Sequence, residues 1–289
     1  MTNVKRPKLL LYHLGEYVKA FSSTRQEGYS EGCYGKFNIN HYCGDSEEAI
    51  RRNRETLCQL LGIDNDHLMM PHQVHLTEMA IVDETFLQLP DEERFAQLEG
   101  VDALMTNVTG VCIGISTADC IPVLLYDKRH HAACAIHAGW RGTVKRIVEK
   151  AVAKMTTVYG TQPEDIQAQI GPGISLDSFE VGDEVYDAFV NEGFEMALIS
   201  RKYPCGSRSS LLACSEGLKK SSTFHSSLLT SKWHIDLPEC NRQQLLAAGI
   251  PEVQIAVSTV CTFKDSETYF SARRLGIKSG RIFTGILLL

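Results

Sequence analysis

Nowhere in this sequence do two cysteines stand three positions apart as Cys-x-x-Cys, and no two histidines flank a single residue. The first absence removes zinc ribbons, thioredoxin-like redox motifs and the Pro-Cys-x-x-Cys signature of the usual zinc deaminases. The second weighs against centres that hold several coppers through His-x-His pairs. No run approaches the eighteen or so apolar residues of a membrane-spanning helix. Lys5, Arg6 and Lys8 precede only a four-residue apolar stretch, Leu9 to Tyr12, far short of a signal-peptide core, so a cytoplasmic, soluble protein is expected. Basic charge is not in excess either. With 29 Lys and Arg against 35 Asp and Glu the net charge is -6, which opposes nucleic acid and acidic membrane surfaces. Any anion site must be a local pocket of arginine or lysine. Neither an internal repeat nor a Pro-rich linker interrupts the chain, so one domain over residues 1–289 is the expectation.

What the chain does have is apolar material, 44% of its residues, enough for one large core or two small ones sharing an interface. A chain of this size needs no disulfide staples, so its ten cysteines read mostly as reduced, buried, small hydrophobes. One shift of composition stands out. Residues 200–231 hold ten serines with Lys219 and Lys220 and read as a long surface insertion.

Helices declare themselves by period and caps. Asp45 with Glu48 makes a capping-box-like start for a helix carrying Ile50, Leu57 and Leu61 on one side. Val144, Ile147, Val148, Ala151, Val152 and Met155 recur at helical spacing until Gly160, predicting a long helix that opens around Gly142. Asp236 to Ala248 is another, with Pro238 in its first turn. Strands are expected at Val111–Ser116, Ile121–Tyr126, Ala132–His137 and Val253–Val257. The first three are separated only by turns and are expected to pair antiparallel. The expected fold class is α+β, a mixed β-sheet core with flanking helices.

Three segments carry chemistry. Read as extended chain, Pro71 to Thr77 puts His72, Val74 and Leu76 on one face and Gln73, His75 and Thr77 on the other. That parity makes His75, not His72, the candidate for a polar cleft. Thr117-Ala118-Asp119-Cys120-Ile121-Pro122 is a tight polar junction between apolar strands. His137-Ala138-Gly139-Trp140-Arg141-Gly142 closes a strand and opens a helix, with small residues that allow close approach and a helix start that attracts anions. His75, Cys120 and His137 would offer a thiolate and two imidazoles, a set suited to Zn2+ with a fourth position free, and open to adventitious copper. Spacing alone leaves the alternative of two satisfied core histidines and a buried thiol.

The strings His72-Gln73-Val74-His75, Thr117 to Pro122, His137 to Gly142, Ile170-Gly171-Pro172-Gly173-Ile174 and Phe179-Glu180-Val181-Gly182 together resemble the YfiH-like laccase-domain family. So do Ser22-Ser23-Thr24-Arg25, Cys261-Thr262 and Phe270-Ser271-Ala272-Arg273-Arg274. The match runs in order from about Ser22 to Arg281. The resemblance implies a zinc-dependent purine nucleoside phosphorylase acting on adenosine, inosine and methylthioadenosine, with adenosine deaminase activity, and His75, Cys120 and His137 as its metal ligands. Glu27 and Ala272 depart from the family's usual Gly and Tyr, which bears on substrate preference.

On this reading a water activated at the metal attacks purine C6 in deamination, with Asp119 handling protons. Phosphorolysis needs an anion pocket, for which Arg141 at the expected helix start is the first candidate and Arg54, Arg25 and Arg273 follow from the resemblance. Asn38, Asn53 and Gln73 are candidates for ribose or base. Gly171-Pro172-Gly173, with Leu176 where a dinucleotide fingerprint needs glycine, reads as a turn bounding the site. The competing readings are a metal- or cysteine-dependent amide hydrolase editing cell-wall precursors, with Cys120 as nucleophile and His137 as base, a copper phenol oxidase and a structural zinc module.

Overall fold

The computed structural model describes residues 5–204 and 231–289. Two large mixed sheets face each other. The first runs Leu9–Tyr12, Val18–Ser23, Ile282–Leu288, Cys112–Thr117, Leu68–Met69; the second runs Ile255–Val257, Ile166–Ile170, Ile121–Asp127, Ala132–Ala138, Ala103–Thr106, Met79–Ile81. Side chains alternate across each strand, so successive residues enter different cores. Leu124, Tyr126, Ala133 and Ala135 meet Ile113, Ile115 and Ile286 between the sheets. Val123, Leu125, Cys134 and Ile136 turn the other way, onto Ile147, Val148, Ala151 and Met155 of a helix. On the far side, Phe21, Cys112 and Phe283 receive Leu57, Cys58 and Leu61 of the helix Glu47–Leu61. Burial on both faces explains why Ile121–Asp127 and Ala132–Ala138 are almost wholly apolar and inaccessible along their length. The layering, helix, sheet, sheet, helix, is the α+β arrangement the sequence predicts.

Several local expectations are corrected. Cys112–Thr117 does not pair with Ile121–Asp127; it lies between Ile282–Leu288 and Leu68–Met69 in the other sheet. Ala118, Asp119 and Cys120 carry the chain across from one sheet to the other, with Asp119 in the left-handed region at φ 85°. Only Ile121–Asp127 and Ala132–Ala138 form the expected antiparallel pair. The predicted long helix is two: a short turn, Trp140–Val144, then Ile147–Tyr159, interrupted where Arg146 takes φ 61°. Ser46, rather than Asp45, caps Glu47–Leu61 by accepting from Ala49 N. Asp45 instead accepts from Ser30 Oγ and Asn38 Nδ2. The strand expected from Val253 begins at Ile255, because Glu252–Gln254 is a turn of 3-10 helix. The ends of the serine-rich stretch are strands, Ser200–Pro204 paired with Ser231–Ile235; the part of the expected insertion between them lies outside the described residues. Among the described residues no helix is long and apolar enough to cross a membrane.

Candidate metal centre

Strand register brings two of the three expected ligands together. Pro122 pairs with His137 and Ile121 with Ala138, so Cys120, one residue before its strand, lies at the same sheet end as His137. His137 is buried and Cys120 half-buried, whereas His75 is exposed. The Gly171-Pro172-Gly173 turn packs against this corner. A β-carbon on Gly173 would collide with Ile121 Cδ1 and stand 3.1 Å from the Asp119 carbonyl oxygen, so glycine suits the close approach.

His75 arrives differently, and the strand-parity argument that selected it does not hold. Residues 73–78 form no strand, and His75 itself sits at φ 64°. A histidine in the left-handed region is disfavoured by roughly 1–2 kcal/mol and needs outside support. Asp102, which sequence reasoning missed, supplies it. This buried carboxylate accepts from the backbone N–H of His75 at 3.0 Å, Leu76 at 2.7 Å and Val74 at 3.3 Å, and also meets His137 Nδ1 at 2.6 Å. One side chain thus fixes the His75 loop and the ring orientation of His137, leaving His137 Nε2 to face Cys120. Burial opposes ionisation of Asp102, but His137 and the Leu76 and His75 amides outweigh it and hold its carboxyl below the usual range. Gln73 locks the same loop to the neighbouring sheet. Its Oε1 accepts from Ser116 N at 2.7 Å and its Nε2 donates to Ser116 O at 2.9 Å.

The ligand atoms of His75, Cys120 and His137 all lie within 4.8 Å of one another. Gly139 makes room for them: a β-carbon there would stand 3.0 Å from His75 Cδ2 and 3.2 Å from Cys120 Sγ. Desolvation raises the Cys120 thiol, but the charge of His137 and hydrogen bonds from His137 and His75 more than offset it, bringing it down to about 6. Desolvation likewise lowers His137, and Cys120 and Asp102 reverse that, lifting it to about 9. A thiolate, two imidazoles, an orienting carboxylate and an open side toward a cavity fit a metal ion. Among the described residues this is the one such group of three or more His, Cys or acidic side chains.

The cavity occupies about 620 Å³. Of the expected residues, its wall contains the triad, Gln73, Asp119 and Arg273. Asp119 is a crossing point: its Oδ1 accepts from Thr262 Oγ1 at 2.7 Å and its Oδ2 from Arg273 N at 2.7 Å. Arg141 is not in the wall; it is exposed, its guanidinium 4.3 Å from the Trp140 ring, because the single helical turn after Gly139 sends it outward. Arg54 lines two other clefts and donates to Asn65 Oδ1 and Leu68 O. Arg25 donates to Gly35 O and Ser266 O over the Phe270 ring. Asn38 and Asn53 are buried in a network with Ser30, Asp45 and the Asn38 carbonyl and are not in the cavity wall, although Asn38 bonds Asn40 and Arg281 of that wall from behind. Asn40, Tyr42 and Arg281 line the cavity without any signal in the sequence, and Thr117 and Phe179 line it from within the family motifs, where no role attaches to them. Polar and aromatic residues of these kinds recur throughout the chain, and only tertiary contacts sort them.

Residues 19–289 match the family model described as multi-copper polyphenol oxidoreductase laccase. The chain belongs to that family. It is 43% identical over 292 residues to a Bacteroides thetaiotaomicron protein named purine nucleoside phosphorylase, covering 100% of this chain and 99% of the relative. A protein of an unknown prokaryote named adenosine deaminase RL5 is 41% identical, with 94% of each covered. The fold matches the crystal structure of Bacillus licheniformis hypothetical protein YfiH at a TM-score of 0.80 and 27% identity, over 99% of this chain and 98% of that one.

Proposed function

We propose that this family member is a zinc-dependent purine nucleoside phosphorylase, converting a purine nucleoside and phosphate to free base and ribose 1-phosphate, with adenosine deamination as a second activity. The observation that carries the proposal is the convergence of His75, Cys120 and His137 on a cavity of about 620 Å³, a size suited to a nucleoside with a small co-substrate. The names of the two relatives support the two activities. The three side chains would hold zinc, which when bound supplies Lewis-acid polarisation of the substrate. A single ligand cluster among the described residues favours this over a multicopper oxidase.

In this scheme Asp102 orients His137, and Ala118, Ile174 and Phe179 in the wall shield the nucleoside from water. Asp119 is the acid–base candidate in the wall; a proton taken there competes with the hydrogen bonds its oxygens accept from Thr262 and Arg273. Arg273 contributes positive charge to the substrate. We place the protein in the cytoplasm and treat residues 1–289 as one domain. The eight described cysteines are all free thiols, which suits a reducing compartment.

The test is incubation of the metal-loaded protein with inosine, adenosine or methylthioadenosine, with and without phosphate. Base release that requires phosphate is expected, together with phosphate-independent conversion of adenosine to inosine. No base release from any of the three in the presence of phosphate rejects phosphorolysis.

A further inference from the structure

We infer that Arg281, at the end of the chain's last loop, is the residue that binds the phosphate co-substrate, with Arg273 as its neighbour in the same cavity wall. The inference rests on the proposed phosphorolysis and names a residue that neither the motifs nor the family resemblance singled out.

A phosphate binder in this protein has to be a cation that faces the triad cavity and is not already neutralised. Arg51, Arg94, Arg129, Arg146 and Arg242 each stand against a carboxylate. Arg25, Arg54 and Arg141 lie outside the cavity wall. Arg273 and Arg281 are the two arginines of that wall, and neither forms an ion pair among the described residues. The wall's one carboxylate, Asp119, already accepts from Thr262 and from the backbone of Arg273.

Arg281 is the better prepared of the two. The loop before it wraps its guanidinium in neutral acceptors: Nη1 donates to Ser279 O at 2.6 Å and Gly280 O at 3.0 Å, and Nη2 donates to Ile277 O at 2.8 Å. No partner among the described residues takes its Nε–H. Its backbone N–H donates to Asn38 Oδ1 at 3.1 Å, which gives the buried Asn38 a supporting role. Carbonyl dipoles orient the fork without cancelling its charge, so little rotamer freedom remains to be lost when an anion arrives. Arg281 is also only half-exposed, so solvent and salt screen it less than the exposed Arg273. Arg273 has a single such anchor, Nη2 to Glu180 O at 3.0 Å, and lies over Phe179, so its guanidinium is less fixed in orientation.

The experiment compares Arg281→Gln, Arg281→Lys and Arg141→Ala with the parent, measuring KM for phosphate at saturating inosine and KM for inosine at saturating phosphate. Loss of a charged hydrogen-bonding partner should raise the phosphate KM of Arg281→Gln on the order of 10- to 100-fold, with a much smaller change for inosine. Arg281→Lys, which keeps charge but not the fork, should fall between, and Arg141→Ala should match the parent. A phosphate KM within about twofold of the parent in both Arg281 variants overturns the inference, as does an equal rise in both constants, which would signal a general distortion. Should the parent release no base, the proposed reaction fails by itself. Calorimetric titration of inorganic phosphate into the metal-loaded parent and Arg281→Lys then decides the site: weaker binding in the variant supports it, and equal binding or none in the parent overturns it.

Discussion

The candidate metal centre is assembled from two regions of opposite character. His137 rides on a strand, and Cys120 directly precedes the adjacent one, in a ladder whose register is set by a two-sided apolar core. His75 stands on an irregular loop, with a left-handed backbone, and is held by a carboxylate and a glutamine reaching in from elsewhere. The ladder side is rigid because displacing either residue would slip a strand and turn its apolar side chains to the wrong face. The loop side depends on a few hydrogen bonds. Precision at this site therefore comes from hydrophobic burial on one side and buried polar pairing on the other, and Asp102 joins the two.

Removing a ligand from either side should have the largest effect. His137→Ala is expected to abolish stoichiometric zinc binding and to reduce phosphorolysis at least a thousandfold, and His75→Ala to do the same with a smaller loss of thermal stability. Metal analysis, steady-state kinetics and melting curves report all three quantities. Equal destabilisation by the two variants would erase the proposed contrast between ladder and loop.

Asp102→Asn comes next. The amide can still accept from some of the backbone donors, but it offers no charge to His137 and places N–H groups where only acceptors fit. Zinc affinity should fall roughly 10- to 100-fold, and stability by about 2 kcal/mol, because buried donors lose their acceptor. Zinc titration against a chelator and urea unfolding measure the two. Unchanged zinc affinity would show that His137 and the His75 loop hold their positions without this carboxylate.

Gly139→Ala should be the mildest. Its new methyl must share space with His75 Cδ2 and Cys120 Sγ, whereas the backbone there has φ -68°, which alanine adopts freely. Zinc affinity should drop severalfold while stability stays within about 0.5 kcal/mol of the parent. A loss of folding rather than of metal would place Gly139 in the core's packing instead of the site's.

The sequence disclosed the ladder side more fully than the loop side. Continuous apolar runs, one beginning just after Cys120 and one closing at His137, announce strands and their junctions, and residue chemistry together with the family motifs points to the triad. The alternation of an extended chain does not describe this segment, and His75 reaches the cavity through a left-handed turn instead. Nothing in Val101-Asp102-Ala103 signals a carboxylate that accepts amides 26 to 28 positions earlier in the chain and a ring 35 positions later. The arginines show the same gap. Their long side chains reach several ångströms from the backbone, so residue type gave no means of telling Arg273 and Arg281, in the cavity, from Arg25, Arg54 and Arg141, outside it.

By itself the amino-acid order determined the class of fold, the strands that fill its core and the chemistry available at three positions. Those properties depend on local pattern and residue type, which any reader of the chain can inspect. The partition of strands between two sheets, the break before Ile147, the Asp102 clamp and the choice of cavity cations were decided only when the chain closed on itself. Each depends on which distant groups become neighbours, and no spacing along the chain encodes that.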